Sequence, residues 1–534
     1  MNMTGLNLIN KRGFAWYSIG ACHVKGSFFD AEGRLYQGEE VLNYFKDVDS
    51  PLEFRKKMQG MNGVFSVVLA IEGAVYLAVD TIRSFPLFYI KKGKEWLVSD
   101  NAWFLKEQMN NPQISSLSRL EFRSTGFVSG DETLISGLNQ LQAGEIVVLD
   151  SECTKNYYFS YRVKNVREAS YGEHKREGIR YFEQAFQRLV EGIAGRTALV
   201  PLSGGYDSRL IAVMLKKLGH KNVICFSYGR KDNPEALVSR QVAKVLGFQW
   251  IFVEYDEETI GAYLESATFQ DYYKWGSNLS SMFYFQEYFA VKYMKEKNLI
   301  PDDSVFIPGH SGDFLGGSQF FKHGFSSHHE SMDEMIDRIF RVKYLYDEYN
   351  ATETKILKDK IKLTLLEKGK DPDDLSYSVH EDWDFKEKLA KFNFNSNSIY
   401  TFWNYEFRIP YWDLDLIRFF QHLPVEEKVS KKLYDDILRN NYFESYGLNF
   451  TEELQPSPSG ILKQRAKDRM KKYIPGFIKN RLVKRRDNIC YYEITSMLRE
   501  DMLKKGRVVK YNGNKYNRFI IEWFLNELER EVTM

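Results

Sequence analysis

The sequence predicts an α/β protein in two parts, a strand-rich N-terminal domain over residues 1–165 and a parallel-sheet domain with helical insertions over residues 166–534. Three observations carry this reading. Short apolar runs joined by hairpin turns fill the first 160 or so residues. Beyond them, strand-like runs alternate with amphipathic helical patterns, the signature of βαβ units. Near the start of the second part lies Thr197–Leu210, T-A-L-V-P-L-S-G-G-Y-D-S-R-L, which passes from strand to helix through a glycine turn bearing an aspartate.

At 534 residues the chain exceeds what one core supports, and two to four domains fit its length. A hydrophobic share of 43% with 27% charged residues describes an ordinary globular composition. Lys and Arg number 74 against 72 Asp and Glu, so no global field recruits nucleic acid. Cys22, Cys153, Cys225 and Cys490 lie far apart with no C-x-x-C pair, which points to a reducing compartment and away from a zinc site. The N-terminus lacks the grammar of a signal peptide. The most apolar window, Val64–Val79, is broken by Glu72-Gly73 and reads as a hairpin, so a cytoplasmic protein is expected.

In order along the chain, Phe65–Ile71 with Ala74–Val79 forms one predicted hairpin and Phe85–Ile90 with Glu95–Val98 another, followed by a strand at Ile146–Leu149. A helix over Tyr171–Gly192 leads into the strand Ala198–Leu202. The turn Ser203-Gly204-Gly205-Tyr206-Asp207-Ser208 comes next. Gly204 and Gly205 let it bend sharply and let backbone N–H groups approach a ligand, while the helix start favours anions. The Ser203 and Ser208 hydroxyls add donors, and Asp207 inside an anion cradle reads as a Mg²⁺ ligand. Val223–Phe226 is a second strand ending in Ser227-Tyr228-Gly229, a helix opens at Pro234 and closes at Gly247, and Trp250–Val253 is the third strand. Ligands of such sheets bind beyond the carboxyl ends of the strands, where Ser203–Ser208 and Ser227–Gly229 fall. Residues 259–298 are helical with an aromatic stripe that reads as core. Ser304–Pro308 then runs into a second glycine-rich loop, Gly309–Gly317, with one carboxylate, Asp313. Residues 325–395 read as a charged, solvated helical insertion, with a substrate lid as the other reading; residues 463–534 form a basic helical tail.

The S-G-G-x-D-S pattern resembles the pyrophosphate loop of the ATP pyrophosphatase (adenine nucleotide α-hydrolase-like) families, which cleave ATP to AMP and pyrophosphate. Phe226–Gly247, F-S-Y-G…V-A-K-V-L-G, is similar to asparagine synthetases, which implies Ser227 and Gly229 beside the adenine. Gly309–Gly317 resembles their G-E-G-S-D-E loop, which implies that Gly309 borders the nucleotide and that Asp313 joins Asp207 on Mg²⁺. Glu406–Asp413 matches E-x-R-x-P-F-x-D, and Ile437-Leu438-Arg439 matches the I-L-R that follows. Asn62–Val68, Asp80–Arg83 with Pro86–Tyr89, and Gln142–Glu145 resemble the class II glutamine amidotransferase domain of the same enzymes, which implies an Ntn-hydrolase-like β-sandwich. That domain needs an N-terminal cysteine. Here Asn2 holds the position, and Cys22, an internal residue, has no α-amino group to activate it. The N-G-E-I-Y-N glutamine loop is also absent, so the resemblance implies a scaffold without glutaminase activity, as in β-lactam synthetases.

Two departures remain. The family's loop lysine after I-L-R is missing from Glu453–Gly460; Lys463 is the nearest downstream candidate catalytic lysine, while Lys431 and Lys432 read equally well as surface residues. His310 replaces the family's glutamate, and a neutral imidazole with a pKa near working pH can take a proton from an incoming amine. The resemblance implies an ATP- and Mg²⁺-dependent carbon–nitrogen ligase of the asparagine biosynthesis type. It would adenylate a small carboxylate, aspartate or another acid such as a sugar uronate, and transfer it to ammonia or an amine. An intramolecular cyclase of the β-lactam synthetase or lasso-peptide cyclase type and a non-catalytic nucleotide-binding relative are the alternatives. A homodimer is compatible with this reading, and nucleic acid is not a partner. The basic run Lys463–Arg486 suits either a solvated helix or contact with acidic lipid or a pyrophosphate-linked carrier.

Overall fold

The computed structural model describes residues 5–320, 330–369, 371–450, 487–507 and 516–533. Asn2, the segment 453–460, Lys463 and the basic run up to Arg486 lie outside them.

The N-terminal part is built from two sheets. One is antiparallel, with strands in the order Cys153–Tyr157, Glu145–Leu149, Ala74–Val79, Asn62–Ile71, Cys22–Phe29 and Trp16–Ile19, and with Leu35–Gln37 paired to Cys22–Phe29. The other runs Leu6–Asn7, Glu95–Ser99, Phe88–Lys92, Asn139–Gln140. Val68, Leu77 and Val79 of the first sheet pack with Tyr89 and Val98 of the second in one buried cluster. The first predicted hairpin closes with Ile71 opposite Ala74, and Glu72 (φ 50°) and Gly73 (φ 83°) supply the two positive φ values that such a two-residue turn requires. All four cysteines are free, and burial pushes the Cys22 thiol up to about 11.

A helix, Tyr171–Ile193, opened by a capping box between Ser170 and Glu173, leads to the second sheet system. Five parallel strands lie in the order Gln249–Glu254, Val223–Gly229, Ala198–Pro201, Val305–Phe306, Glu406–Phe407. The chain therefore moves outward in one direction through its first three strands and returns to the other side for the last two. The reversal falls between Ala198–Pro201 and Val305–Phe306, and a sheet of this type opens a crevice at such a switch point.

The two parts share a core. Phe14, Phe85 and Phe88 belong to the same buried cluster as Leu199, Phe226 and Phe306. Arg188 Nε donates to Asp413 Oδ2 at 2.6 Å, and Asn62 Nδ2 donates to the same oxygen at 2.9 Å, which ties the N-terminal sheet to the Glu406–Asp413 element.

The solvated reading of residues 325–395 is corrected. The described part is helical (Met332–Lys343, Ala351–Leu366, Ser376–Trp383 and the π-helical Asp384–Asn393), but its inner faces are buried. Met335, Ile336, Ile339, Leu357, Ile361, Leu365 and Trp383 pack with Phe127 of the N-terminal part. The charge that suggests a solvated surface is largely neutralised inside, as in Lys391–Glu387 at 2.6 Å and Lys386–Glu367 at 2.7 Å. No helix among the described residues is long and apolar enough to cross a membrane.

Candidate functional site

The helix Tyr206–Lys217 starts at the end of the Ala198–Pro201 strand, with Gly205 as an N-cap that makes no side-chain cap bond. Its first N–H groups are thus left for a ligand, and its positive end points into the crevice. The turn before it is held by its own hydroxyls: Ser203 N–H donates to Ser208 Oγ at 3.0 Å, and Gly205 N–H donates to Ser203 Oγ at 3.2 Å.

The Gly309–Gly317 loop comes down against this turn at backbone distance. A Cβ on Gly309 would lie 2.8 Å from Ser208 N, and one on Gly312 would lie 2.9 Å from Asp207 Cγ, so both positions need glycine. In this arrangement Asp313 N–H donates to Asp207 Oδ2 at 2.9 Å. Tyr434 OH donates to Asp207 Oδ1 at 2.8 Å, and Tyr411 OH donates to the Asp207 carbonyl at 2.6 Å. Burial, reinforced by the neighbouring Asp313 charge, pushes the Asp207 carboxyl up to about 7 against the two stabilising bonds. Two crowded carboxylates make a place for a hard cation, and among the described residues no group of three His, Cys, Asp or Glu side chains could hold a metal alone. The donor set therefore fits an ion whose remaining ligands are phosphate or water oxygens.

Both loops open into one cavity of about 960 Å³. Ser203, Gly204, Gly205, Asp207, Ser208, Ser227, Gly309, His310 and Asp313 all line it. Gly229 does not form its wall. There φ is +120°, and a Cβ would lie 2.2 Å from the Asn488 carbonyl oxygen, so this glycine makes room for the C-terminal segment. That segment closes the cavity with Asp487, Asn488 and Ile489, anchored by Arg230 N–H donating to Asn488 O at 2.8 Å and an Arg230–Glu493 pair at 2.5 Å.

His310 sits at the cavity wall, its ring edge against Tyr284. Ser396 Oγ donates to the Asn393 carbonyl at 2.6 Å, so its 3.0 Å contact with His310 Nε2 is a bond donated by the imidazole. Nδ1 is then the ring's lone-pair nitrogen. The expectation of a pKa near working pH is corrected: burial lowers it to about 4, which makes His310 neutral at physiological pH but a weak base.

Further site residues were named from sequence without a firm role, or not at all. Lys431, weighed as a candidate lysine against a surface reading, lines the cavity; its backbone is left-handed (φ 51°), and its ammonium stands over the Tyr206 and Tyr434 rings while pairing with Asp435 at 3.0 Å. Arg439 donates from Nε to Tyr206 OH at 2.8 Å. Glu287 is a buried cavity carboxyl that accepts from Tyr400 OH at 2.5 Å and that burial pushes up to about 7. A lone acid inside an aromatic run was the available signal for Glu287. The aromatic stripe itself is core, with Phe269, Tyr272, Tyr273, Phe283 and Tyr288 buried, and only Tyr284 of it reaches the cavity.

A parallel sheet with two glycine-rich loops converging on paired aspartates at its switch point defines an α/β ligand-binding domain of the kind that holds anions on a helix start. The asparagine synthase family model matches residues 182–481, more than half of the chain. The protein belongs to the asparagine synthase family. A probable glutamine-hydrolysing asparagine synthetase of Acanthamoeba polyphaga mimivirus is 28% identical over 157 residues, which cover 29% of this chain and 27% of that relative. Among solved structures, the NH3-dependent NAD synthetase of Campylobacter jejuni matches at 13% identity with a TM-score of 0.20, over 38% of this chain and 98% of that one. The NMN synthetase of Francisella tularensis matches at 10% identity and 0.20, over 40% and 93%. The glutamine phosphoribosylpyrophosphate amidotransferase of B. subtilis matches at 10% and 0.18, over 64% and 74%.

Proposed function

We propose that this protein is an ATP-dependent carbon–nitrogen ligase that adenylates a small carboxylate and transfers the acyl group to ammonia or an amine, releasing AMP and pyrophosphate. The observation that carries the reading is the 2.9 Å bond from Asp313 N–H to Asp207 Oδ2, which joins two strand-end loops and sets both carboxylates on one cavity. The residues that would hold ATP are Ser227 and Tyr228 for the adenine and the start of the Tyr206–Lys217 helix for the phosphates. Mg²⁺, when held by Asp207 and Asp313, neutralises phosphate oxygens and makes pyrophosphate a better leaving group. The substrate carboxylate attacks the α-phosphorus, the bond to the bridging oxygen breaks, and pyrophosphate departs beside Lys431 and Arg439. The amine then attacks the acyl-adenylate carbon, AMP leaves, and the proton of the adding nitrogen passes to the departing phosphate or to water, with the neutral His310 Nδ1 accepting a hydrogen bond from the incoming N–H. Lys431 fills the role of the family's missing loop lysine. The carboxylate is aspartate or another acid such as a sugar uronate.

The N-terminal part, in this reading, is a glutaminase-like scaffold in which Cys22, buried and with its thiol pushed up to about 11, does not serve as the nucleophile. Nitrogen then arrives as free ammonia, as ammonia made by another protein, or as the amine of a second substrate. The test is pyrophosphate release from Mg-ATP across a panel of carboxylic acids, with and without ammonium. AMP and pyrophosphate in equal amounts, dependent on one acid, support the reading; ADP and phosphate, or nucleotide binding with no acid-dependent turnover, overturn it.

A further inference from the structure

One wall of the cavity of about 960 Å³ is built around Glu287, which has no part in the ligase reading. Tyr228, Tyr284, Gln286 and Tyr491 line the cavity beside it. Glu287 is the N-cap of the helix Tyr288–Glu296, yet its side chain makes no cap bond. It turns instead to tyrosine hydroxyls. Tyr400 OH donates to Glu287 Oε2 at 2.5 Å, and the Tyr228 hydroxyl bonds the same carboxyl. The wall continues through a bond between Tyr228 and Tyr284, and Tyr284 OH donates to Gln286 Oε1 at 2.6 Å.

Glu287 is 4% exposed, and among the described residues no lysine, arginine or histidine pairs with it. A buried carboxyl with no cation moves toward its neutral form, and burial pushes Glu287 up to about 7 against the two tyrosine bonds. The two hydroxyls fill about half of the lone-pair positions of a carboxylate. The neutral acid still offers an O–H and a C=O side by side, on a wall of aromatic rings. A flat heterocycle with an acceptor nitrogen next to an amino group satisfies both features, packing on the rings and completing the carboxyl. Adenine has that edge, in N1 and its 6-amino group. Tyr228, the donor to Glu287, follows Ser227 at the carboxyl end of the Val223–Gly229 strand, where sheets of this kind bind ligands.

We propose that Glu287 reads the nucleobase, its carboxyl accepting from the 6-amino group of adenine and donating to N1 while Tyr228 and Tyr400 fix its plane. This rests on the ATP placement proposed above, and it concerns recognition of the base, not acyl transfer. Guanine offers two adjacent N–H groups, a pattern matched by the ionised carboxylate, so the protonation of one side chain sets the preference between the two purines. Tyr228, Tyr255, Tyr272, Tyr284 and Tyr400 are the titratable groups that face Glu287, and burial holds each well above the ordinary tyrosine value. His310, whose ring edge meets Tyr284, is lowered by burial to about 4. Glu287 is therefore the group of this set that changes charge between about pH 6 and pH 8.

The full-length protein is titrated by calorimetry with the α,β-methylene analogues of ATP, GTP and purine riboside triphosphate, the last lacking the 6-amino group. The ATP analogue should bind about tenfold more tightly than the purine riboside analogue, the worth of one such bond. In Glu287→Leu that advantage should vanish. Glu287→Gln presents an amide oxygen and NH2 in place of the neutral acid, and should keep the ATP-analogue affinity within about threefold. From about pH 6 to pH 8 the parent's affinity for the ATP analogue, divided by that of Glu287→Gln, should fall about tenfold, since titration of the phosphates is common to both proteins. Tighter binding of the GTP analogue than of the ATP analogue at pH 6, equal binding of the ATP and purine riboside analogues, or a ratio that does not change with pH overturns the proposal. If Glu287→Leu loses its thermal transition, the parent's own discrimination and the ratio to Glu287→Gln decide. Binding of no nucleotide analogue would sink the ligase reading and this inference with it, whereas nucleotide binding that ignores the 6-amino group would sink this inference alone.

Discussion

Replacing Lys431 with Met removes the ammonium from the phosphate end of the cavity and keeps most of the aliphatic stem. The side chain is only 19% exposed, so solvent screening is incomplete. At an effective dielectric near 20 and a separation of about 5 Å, one charge on leaving pyrophosphate is worth about 3 kcal/mol to Lys431. Its existing pair with Asp435 at 3.0 Å offsets part of that, which leaves about 2–3 kcal/mol, or about thirty- to two-hundredfold in rate. Acid-dependent ATP–pyrophosphate exchange should fall by that factor in Lys431→Met, with binding of the ATP analogue weakened less than about tenfold, because the charge counts most as pyrophosphate separates. Met keeps a side chain at φ 51°, so the backbone cost is the same in both proteins and the melting temperature should be nearly unchanged. Lys431→Arg should recover part of the rate. An exchange rate within twofold of the parent in Lys431→Met would refute the assignment and return the role to Arg439 or to Lys463.

Three further outcomes follow from the geometry. Gly312→Ala puts a methyl 2.9 Å from Asp207 Cγ and from Tyr434 OH; displacement of the aspartate should lower exchange about a hundredfold, and an unchanged rate would show that the two loops are not locked together. Gly229→Ala drives a Cβ to 2.2 Å from Asn488 O, so the closing segment should detach, raising KM for ATP and exposing the chain near 487 to protease while the sheet stays folded; a parent-like digest would contradict this. Glu287 has a folded pKa near 7 against an ordinary 4.5, so the native state binds the extra proton and stability falls as pH rises between those values. Melting temperature from pH 5 to 8 should therefore decline less in Glu287→Gln than in the parent, and parallel profiles would mean that Glu287 does not titrate there.

Much of the fold was legible because its signals are local. The Glu72-Gly73 turn, the capped helix after Ser170 and the strand–turn–helix at Ser203–Ser208 are each specified within about ten residues. The site's first half was legible for the same reason, since Asp207 and Asp313 each sit in a glycine loop at a strand end. What stayed hidden depends on contacts across hundreds of residues. Lys431 was one of three lysines the sequence offered; the chain kinks through two left-handed residues, Ser430 and Lys431, where it reaches the cavity, and nothing in S-K-K announces that. The insertion looked solvated because buried Lys386 and Lys391 have the composition of a surface; Glu387 lies one helical turn from Lys391, but the burial of that pair, and the pairing of Lys386 with Glu367 and of Glu381 with Lys428 beyond the insertion, can be assigned only in three dimensions. The His310 pKa misled in the same way: its sequence neighbours are small and polar, but the walls that desolvate it come from Tyr284 and Ser396.

The switch-point side of the site leaves little room for variation. Cβ atoms built on Gly309, Gly312, Gly316 and Gly317 would come within 2.8, 2.9, 2.7 and 2.4 Å of their neighbours, so no larger residue fits there without moving a loop that positions Asp207 or Asp313. That surface is therefore fixed by backbone contacts, whatever ligand the cavity beside it holds. The opposite wall is different in kind, made of long side chains from the insertion around a second cavity of about 540 Å³. The two walls meet at the 3.4 Å link from Asn393 to Ser311.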